Sequence, residues 1–234
     1  FFMNKKIKIF LLAIFAFILL TFFNSADANS IDNISMDIAL DDNGNASITE
    51  IWNCNVTDGT EVYHPYYNLG NSKITDLSVS ENGTAYSSLS SWKTSGSLSD
   101  KAYRCGINKI SNGVELCWGI SKYGSHSYEV KYNISNFVSE LTDSQMIYWT
   151  LIPYDFSNPI GNVYIKIHSN FNIPDSVGVW GYGNYGGTAY VYDGYIEMQS
   201  DGRLASSEYM TILVQFPLNT FNCNNKLDYD FNHY

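Results

Sequence analysis

Glu50 is the carboxylate that most invites a chemical reading. It falls on the face that Ile48 and Trp52 define in an alternating stretch, where a carboxylate needs a partner or its pKa rises. Such a group can serve as a catalytic acid or as a structural anchor bonded inside a sheet. Glycoside hydrolysis normally needs two carboxylates, and no second one stands out here, so the structural role is the expectation. His64, His126, His168 and His233 are scattered along the chain and read as surface or structural residues. Neither a G-x-S-x-G elbow nor an H-E-x-x-H pair is present. Serine and aspartate are so abundant that a triad assembled from them carries no information. Asp41-Asp42-Asn43-Gly44 opens like a calcium loop but lacks the later Glu and the flanking helices, so a hairpin turn explains it better. These residues give no catalytic constellation. A non-enzymatic protein without metal or cofactor is expected.

Aromatic rings are the other candidates. Trp180, Tyr182, Tyr185, Tyr190 and Tyr192, with Tyr195, crowd a glycine-rich stretch, and Tyr63, Tyr66 and Tyr67 form a second group. Exposed rings on one sheet face stack on sugars while tyrosine hydroxyls stay wet. Tyrosine is also a good strand residue. An alternating set on one face would make a binding strip; a split between faces would leave packing as its use.

Cys54, Cys105, Cys117 and Cys223 allow three full pairings. Cys105 and Cys117 flank a turn at Ser111-Asn112-Gly113. In simple register they are diagonal neighbours on one face, too far apart for an unstrained bridge unless a bulge intervenes. That pair is the one disulfide worth considering. Zinc is poorly served, with no C-x-x-C pair and few histidines.

The elements that must position these groups are strands. Period-two alternation dominates: Ile34, Met36, Ile38 and Leu40 share a face, and Ala46 to Val56 alternates after Asp41-Asp42-Asn43-Gly44. Further strands cover Ile74 to Val79, Ala102 to Ile110, Val114 to Ile120, Tyr128 to Ile134, Val163 to Ile167, Val177 to Tyr182, Ala189 to Tyr192, Tyr195 to Met198 and Tyr209 to Phe216. Met146 to Ile152 is a continuous apolar run, read as a central strand. Asn82-Gly83, Asn112-Gly113 and Asp193-Gly194 supply hairpin turns. Tyr86 to Ser99 is serine-rich and reads as a surface loop. Regular spacing of short strands predicts an all-β antiparallel sandwich, one large or two adjoining Ig-like units with a sub-boundary near 157–160.

The N-terminus carries Lys5, Lys6 and Lys8, an apolar run from Ile9 to Phe23, and Ser25-Ala26-Asp27-Ala28. Those are the three parts of a secretory signal peptide, with Met3 as start and cleavage after Ala28. The apolar run is short for a span. Residues 29–220 are then the exported domain, and 221–234 a linker or a cut-off tail. The chain of 234 residues has a formal charge of −10, and losing residues 1–28, with three Lys and one Asp, takes it to −12. Such a surface repels nucleic acid and anionic lipid.

Taken in order, several segments resemble a known family. Ile31 to Leu40 leads into the Asp-rich turn with Gly44. Ile48-Thr49-Glu50-Ile51-Trp52 is similar to the family's V-x-E strand, and Ile74-Thr75-Asp76-Leu77-Ser78-Val79 to its I-x-D-x-x-V strand. Glu115-Leu116-Cys117-Trp118-Gly119 with His126-Ser127-Tyr128-Glu129-Val130-Lys131-Tyr132 resembles its tryptophan and Y-x-I-x-Y hairpin, and Asp143 to Trp149 the segment that follows. The family is domain-of-unknown-function family 2207, the YciQ-like predicted membrane proteins. The resemblance implies a signal peptide, an extracytoplasmic β domain and then membrane helices, which this sequence does not include. It carries no activity and no catalytic residues. The expected function is a binding or sensing module at the cell envelope, with a cell-wall glycan or an envelope protein as partner. The alternative is a secreted carbohydrate-binding module using Tyr and Trp platforms.

Overall fold

A computed structural model describes residues 29–154, 156 and 158–234; the signal peptide lies outside them. The described chain is nearly all strand. In chain order these are β1 (Ser30–Leu40), β2 (Ala46–Val56), β3 (Glu61–Tyr67), β4 (Lys73–Glu81), β5 (Thr84–Ala85), β6 (Ser87–Leu89), β7 (Arg104–Ile110), β8 (Gly113–Gly119), β9 (Gly124–Ser135), β10 (Val138–Glu140), β11 (Gln145–Ile152), β12 (Ile160–Ser169), β13 (Gly178–Tyr182), β14 (Thr188–Tyr192), β15 (Tyr195–Gln199) and β16 (Met210–Phe216). One helical turn, α1 (Leu98–Lys101), precedes β7.

Three sheets form. The largest has the order β14-β15-β12-β1-β2-β9-β4-β5; β10-β11-β16-β13 and β3-β8-β7-β6 are four-stranded. Pairing is antiparallel except for β1 with β12 and β6 with β7. The alternation read from the sequence becomes rows of inward side chains. Ile34, Trp52 and Tyr128 make one row; Met36, Glu50, Val130 and Val79 the next; then Ile38, Ile48 and Tyr132. Trp118 of β8 meets Trp52 edge-on at 5.2 Å. Ile147 and Leu151 of β11 and Ile212 and Val214 of β16 join the same continuous core. Fully burying each large apolar side chain is worth about 1.5–3 kcal/mol, so this shared interior holds the three sheets as a sandwich. Strands on either side of residues 157–160 interleave: β12 pairs with β1, and β16 pairs with β11.

Turn chemistry fixes the registers. Asp41 Oδ1 accepts from the Asn43 and Asn45 amides at 2.9 and 2.8 Å, and Gly44 has φ of +73°. The Asp41 carboxylate therefore serves the β1–β2 turn itself. Ile110 faces Gly113 across a two-residue connection, which sets Cys105 opposite Trp118 and Cys117 opposite Gly106. Directly opposed residues share a face, so Cys105 and Cys117 point to opposite sides of the sheet. The single-face geometry expected for them is thus corrected, and all four cysteines are free, buried thiols.

The stretch read as a surface loop and the segment read as a linker or cut-off tail are both anchored. In the serine-rich stretch, Ser97 caps α1, and Trp92 is buried with its Nε1 donating to Glu61. Lys101 bonds Glu61 at 2.8 Å, Thr60 Oγ1 at 2.9 Å and the Thr94 carbonyl at 2.6 Å. Residues 221–234 lie against the domain. Phe221 and Cys223 are buried, and the Leu227 amide donates to the Glu140 carbonyl while the Glu140 amide donates to Asn225, both at 2.8 Å. Lys226 pairs with Glu140 at 2.8 Å. The outer face of β11 and β16 is apolar enough, through Met146 and Leu213, to recruit Leu227 and Phe231 from this tail.

Candidate functional site

A cleft of about 690 Å³ opens between the β3–β4 loop, residues 136–139, β11 and the C-terminal tail, with Asn112 and Thr211 also in its lining. β11 supplies the floor. Its strand alternation sends Ile147 and Leu151 into the core, and Tyr148 and Thr150 outward. Trp149 lies between, stacked on Phe137 at 5.1 Å and donating its Nε1 to the Phe137 carbonyl at 2.9 Å. Tyr148 is 49% exposed and meets Tyr234 of the tail at 5.4 Å and 66°. Tyr154, 56% exposed, sits at the far end against Tyr209.

The walls are amides. Asn136 donates to the Asn71 carbonyl at 3.1 Å, Asn71 to Asn225 Oδ1 at 3.1 Å, and Asn225 to Ser139 Oγ at 2.9 Å. Asn68, held in the left-handed region at φ 55°, and Asn112 add two more. Among the described residues lining the cleft, none is acidic, basic, His or Cys. The site offers ring faces, hydroxyls and neutral donor–acceptor groups.

Behind the floor lies a buried ionic knot. Glu50, wholly buried, accepts from Trp52 Nε1 at 2.5 Å, from His64 Nδ1 at 3.0 Å and from the Tyr132 hydroxyl. His64 Nε2 faces the Leu151 carbonyl at 2.9 Å. With a carbonyl on one side and a carboxylate on the other, both ring nitrogens donate, which makes an ion pair. Burial pushes the Glu50 pKa up, but the His64 charge and the three donors outweigh it and leave it lowered. Burial, and then the Glu50 charge, hold the Tyr132 and Tyr66 hydroxyls far above their ordinary range. His126 repeats the design, with Nδ1 on Glu81 at 2.6 Å and Nε2 on the Lys122 carbonyl at 2.9 Å. Glu50 and His64 are wholly enclosed, whereas Glu81 and His126 are 8% and 5% exposed. His168, on the outer face, bonds Asp37 at 2.9 Å.

The aromatic set singled out from the sequence is divided. Trp180 and Tyr182 stand on β13, where Trp180 packs on Phe231 of the tail at 5.5 Å. Tyr190 and Tyr192 stand on β14, in another sheet, beside Tyr195. Tyr185 is buried, its hydroxyl filling the space over Gly181. A single strip does not form, because β13 and β14 close opposite sheets of the sandwich. Of the second group, Tyr66 is core and Tyr67 lines the cleft. The cleft itself escaped sequence reading. Tyr148 and Trp149 lay in a run read only as core, and Asn225 and Tyr234 in a segment read as a linker.

No curated protein matches the chain. Solved structures match its fold. Leukotriene A4 hydrolase from yeast, in complex with bestatin, has a TM-score of 0.51 at 8% identity, over 80% of this chain and 29% of that one. An M1 zinc metallopeptidase from Deinococcus radiodurans gives 0.39 at 10% identity, over 80% and 42%. A putative nutrient binding protein from Legionella pneumophila gives 0.43 at 10% identity, over 81% and 68%. This chain thus spans under a third of the yeast enzyme. Among the described residues no helix is long and apolar enough to cross a membrane. The model of the predicted membrane protein (DUF2207) N-terminal domain matches residues 30–216, so the chain belongs to that family.

Proposed function

We propose that this chain is the non-enzymatic, extracytoplasmic domain of a cell-envelope membrane protein, and that it binds its partner in the cleft floored by β11. The observation that carries the reading is the lining: exposed rings and ordered amides, with no acidic or basic side chain among the described residues that form it. Such convergence of apolar surface with a few fixed polar groups is what ligand sites share. Membership of a family described as predicted membrane proteins supports the membrane setting, and the cationic, apolar and small-residue N-terminus supports export. The experiment is labelling of intact cells with a membrane-impermeant amine reagent, followed by capture of the chain. Labelling of exposed lysines such as Lys131 without cell lysis supports the reading. Labelling only after lysis overturns it.

A further inference from the structure

Resting on that reading, we infer that the cleft takes a neutral, polyhydroxylated ligand, a segment of an uncharged glycan. Charge comes first. The chain holds 23 acidic residues, yet none of the described residues lining the cleft has a charged side chain. An anionic ligand would meet no cation to pair with and would enter against an acidic protein. A cationic one would find no side-chain carboxylate in the lining.

The rings come next. Tyr148 and Tyr154 are about half exposed, and each is braced at a steep angle, by Tyr234 and Tyr209 respectively. A steep contact covers the face of only one of its two rings, so the brace fixes orientation while leaving aromatic surface open. Pyranose rings present apolar faces that bury well on such surface.

The amides complete the match. Asn136, Asn71, Asn225 and Ser139 form one hydrogen-bonded series, so their positions are set before any ligand arrives. Each amide NH₂ carries a second N–H, and each amide oxygen a second lone pair. A sugar hydroxyl both donates and accepts, and pairs with either. An aromatic groove also suits a proline-rich peptide, but along its backbone that ligand offers chiefly carbonyl acceptors and leaves the amide oxygens unused. The volume, about 690 Å³, falls in the usual ligand-site range of ~300–1,000 Å³. Because Asn225 and Tyr234 belong to the tail, the tail completes the site.

The test is affinity electrophoresis of the whole chain in gels containing a neutral β-glucan, a neutral α-glucan, mannan or soluble chitin. Companion gels carry a sulfated glycan, and a proline-rich peptide is titrated by fluorescence. Retardation by at least one neutral glycan is expected. Tyr148→Ala and Tyr154→Ala should each weaken it about tenfold, roughly 1.4 kcal/mol, while Tyr192→Ala, on the other sheet, leaves it unchanged. Unshifted thermal midpoints in the variants show that the loss lies in the site. Retention by the sulfated glycan or the peptide alone, reduced by the same two variants, overturns the ligand class and leaves the cleft as the binding site. Retention by a neutral glycan that only Tyr192→Ala reduces overturns both readings. Absence of retention in every neutral glycan gel overturns the inference.

Discussion

Glu50→Gln removes a charge from the centre of the sandwich and keeps the side chain's shape. In the native protein Oε1 takes the His64 and Tyr132 donors, and Oε2 takes Trp52 at 2.5 Å. A glutamine must turn its NH₂ toward at least one of these donors, and it leaves the His64 imidazolium unpaired at zero exposure. Breaking a buried pair from one side costs about 3–5 kcal/mol, a large share of a total stability of ~5–15 kcal/mol. With a urea dependence near ~2 kcal/mol per molar, the midpoint should fall by roughly 1.5–2.5 M. Tryptophan fluorescence reads it well, since Trp52 is itself a donor to Glu50. His64→Phe should cost a similar amount by stranding the carboxylate, and Glu50→Leu with His64→Phe should recover much of it, because apolar groups of like size often replace a buried pair without loss. The pH dependence follows from the lowered pKa of Glu50. A carboxyl whose folded pKa lies below its unfolded value adds stability above the unfolded value. That stability disappears as pH falls from the ordinary 4.5 through the lowered folded value. Glu50→Gln should therefore flatten the acid limb of the wild-type profile below that pH. A loss under about 1 kcal/mol at pH 7 with an unchanged urea slope, or a double variant that costs the sum of the singles, would refute the ion pair.

Two further outcomes are expected. The four cysteines are buried thiols, with burial pushing Cys54 to about 12 and Cys223 to about 11, so a thiol reagent should react fully only after unfolding and a reductant should leave the thermal midpoint unchanged. Gly44→Ala places a Cβ 2.8 Å from the Val138 Cβ at a φ of +73°, so calorimetry should show a loss of about 1–3 kcal/mol, whereas Gly83→Ala, at a comparable φ but with nothing within 4 Å, should cost less.

Much of the sandwich was legible because its large sheet keeps one face in the core. Alternation from Ile34 to Leu40 and from Ala46 to Val56 set both strands and the inward position of Glu50. Two residues of turn length decided the cysteines: a connection of only Ser111-Asn112 moved Cys117 to the far face, a shift that alternation cannot report. The Tyr86 to Ser99 stretch is largely the exposed loop its composition suggests, but its anchoring was not legible. Its anchors, Trp92 and the neighbouring Lys101, bind through single side chains to Glu61 and Thr60, and isolated anchors have no period. The cleft was invisible for the strongest reason. Its parts lie near residues 70, 112, 137, 150, 211 and 230, and only the folded chain brings them together.

The buried knot and the cleft are mechanically one structure. His64 ties β2, through Glu50, to the Leu151 carbonyl of β11. Two residues before Leu151, Trp149 stands edge to face with Tyr66 at 6.3 Å, and Tyr66 stacks on His64 at 4.5 Å. The strand that floors the cleft is thus fixed from behind by an ion pair, a stacked ring and a backbone hydrogen bond. From the front it is fixed by the tail, where Tyr234 meets Tyr148. A floor braced on both sides presents its rings in one orientation, which lowers the ordering cost of binding. The same bracing gives the charged core a use that stability alone does not explain, since an apolar core of equal volume is often as stable. An ionic bridge with fixed partners specifies where β11 sits, and the position of β11 sets where Tyr148 and Trp149 would meet the proposed ligand.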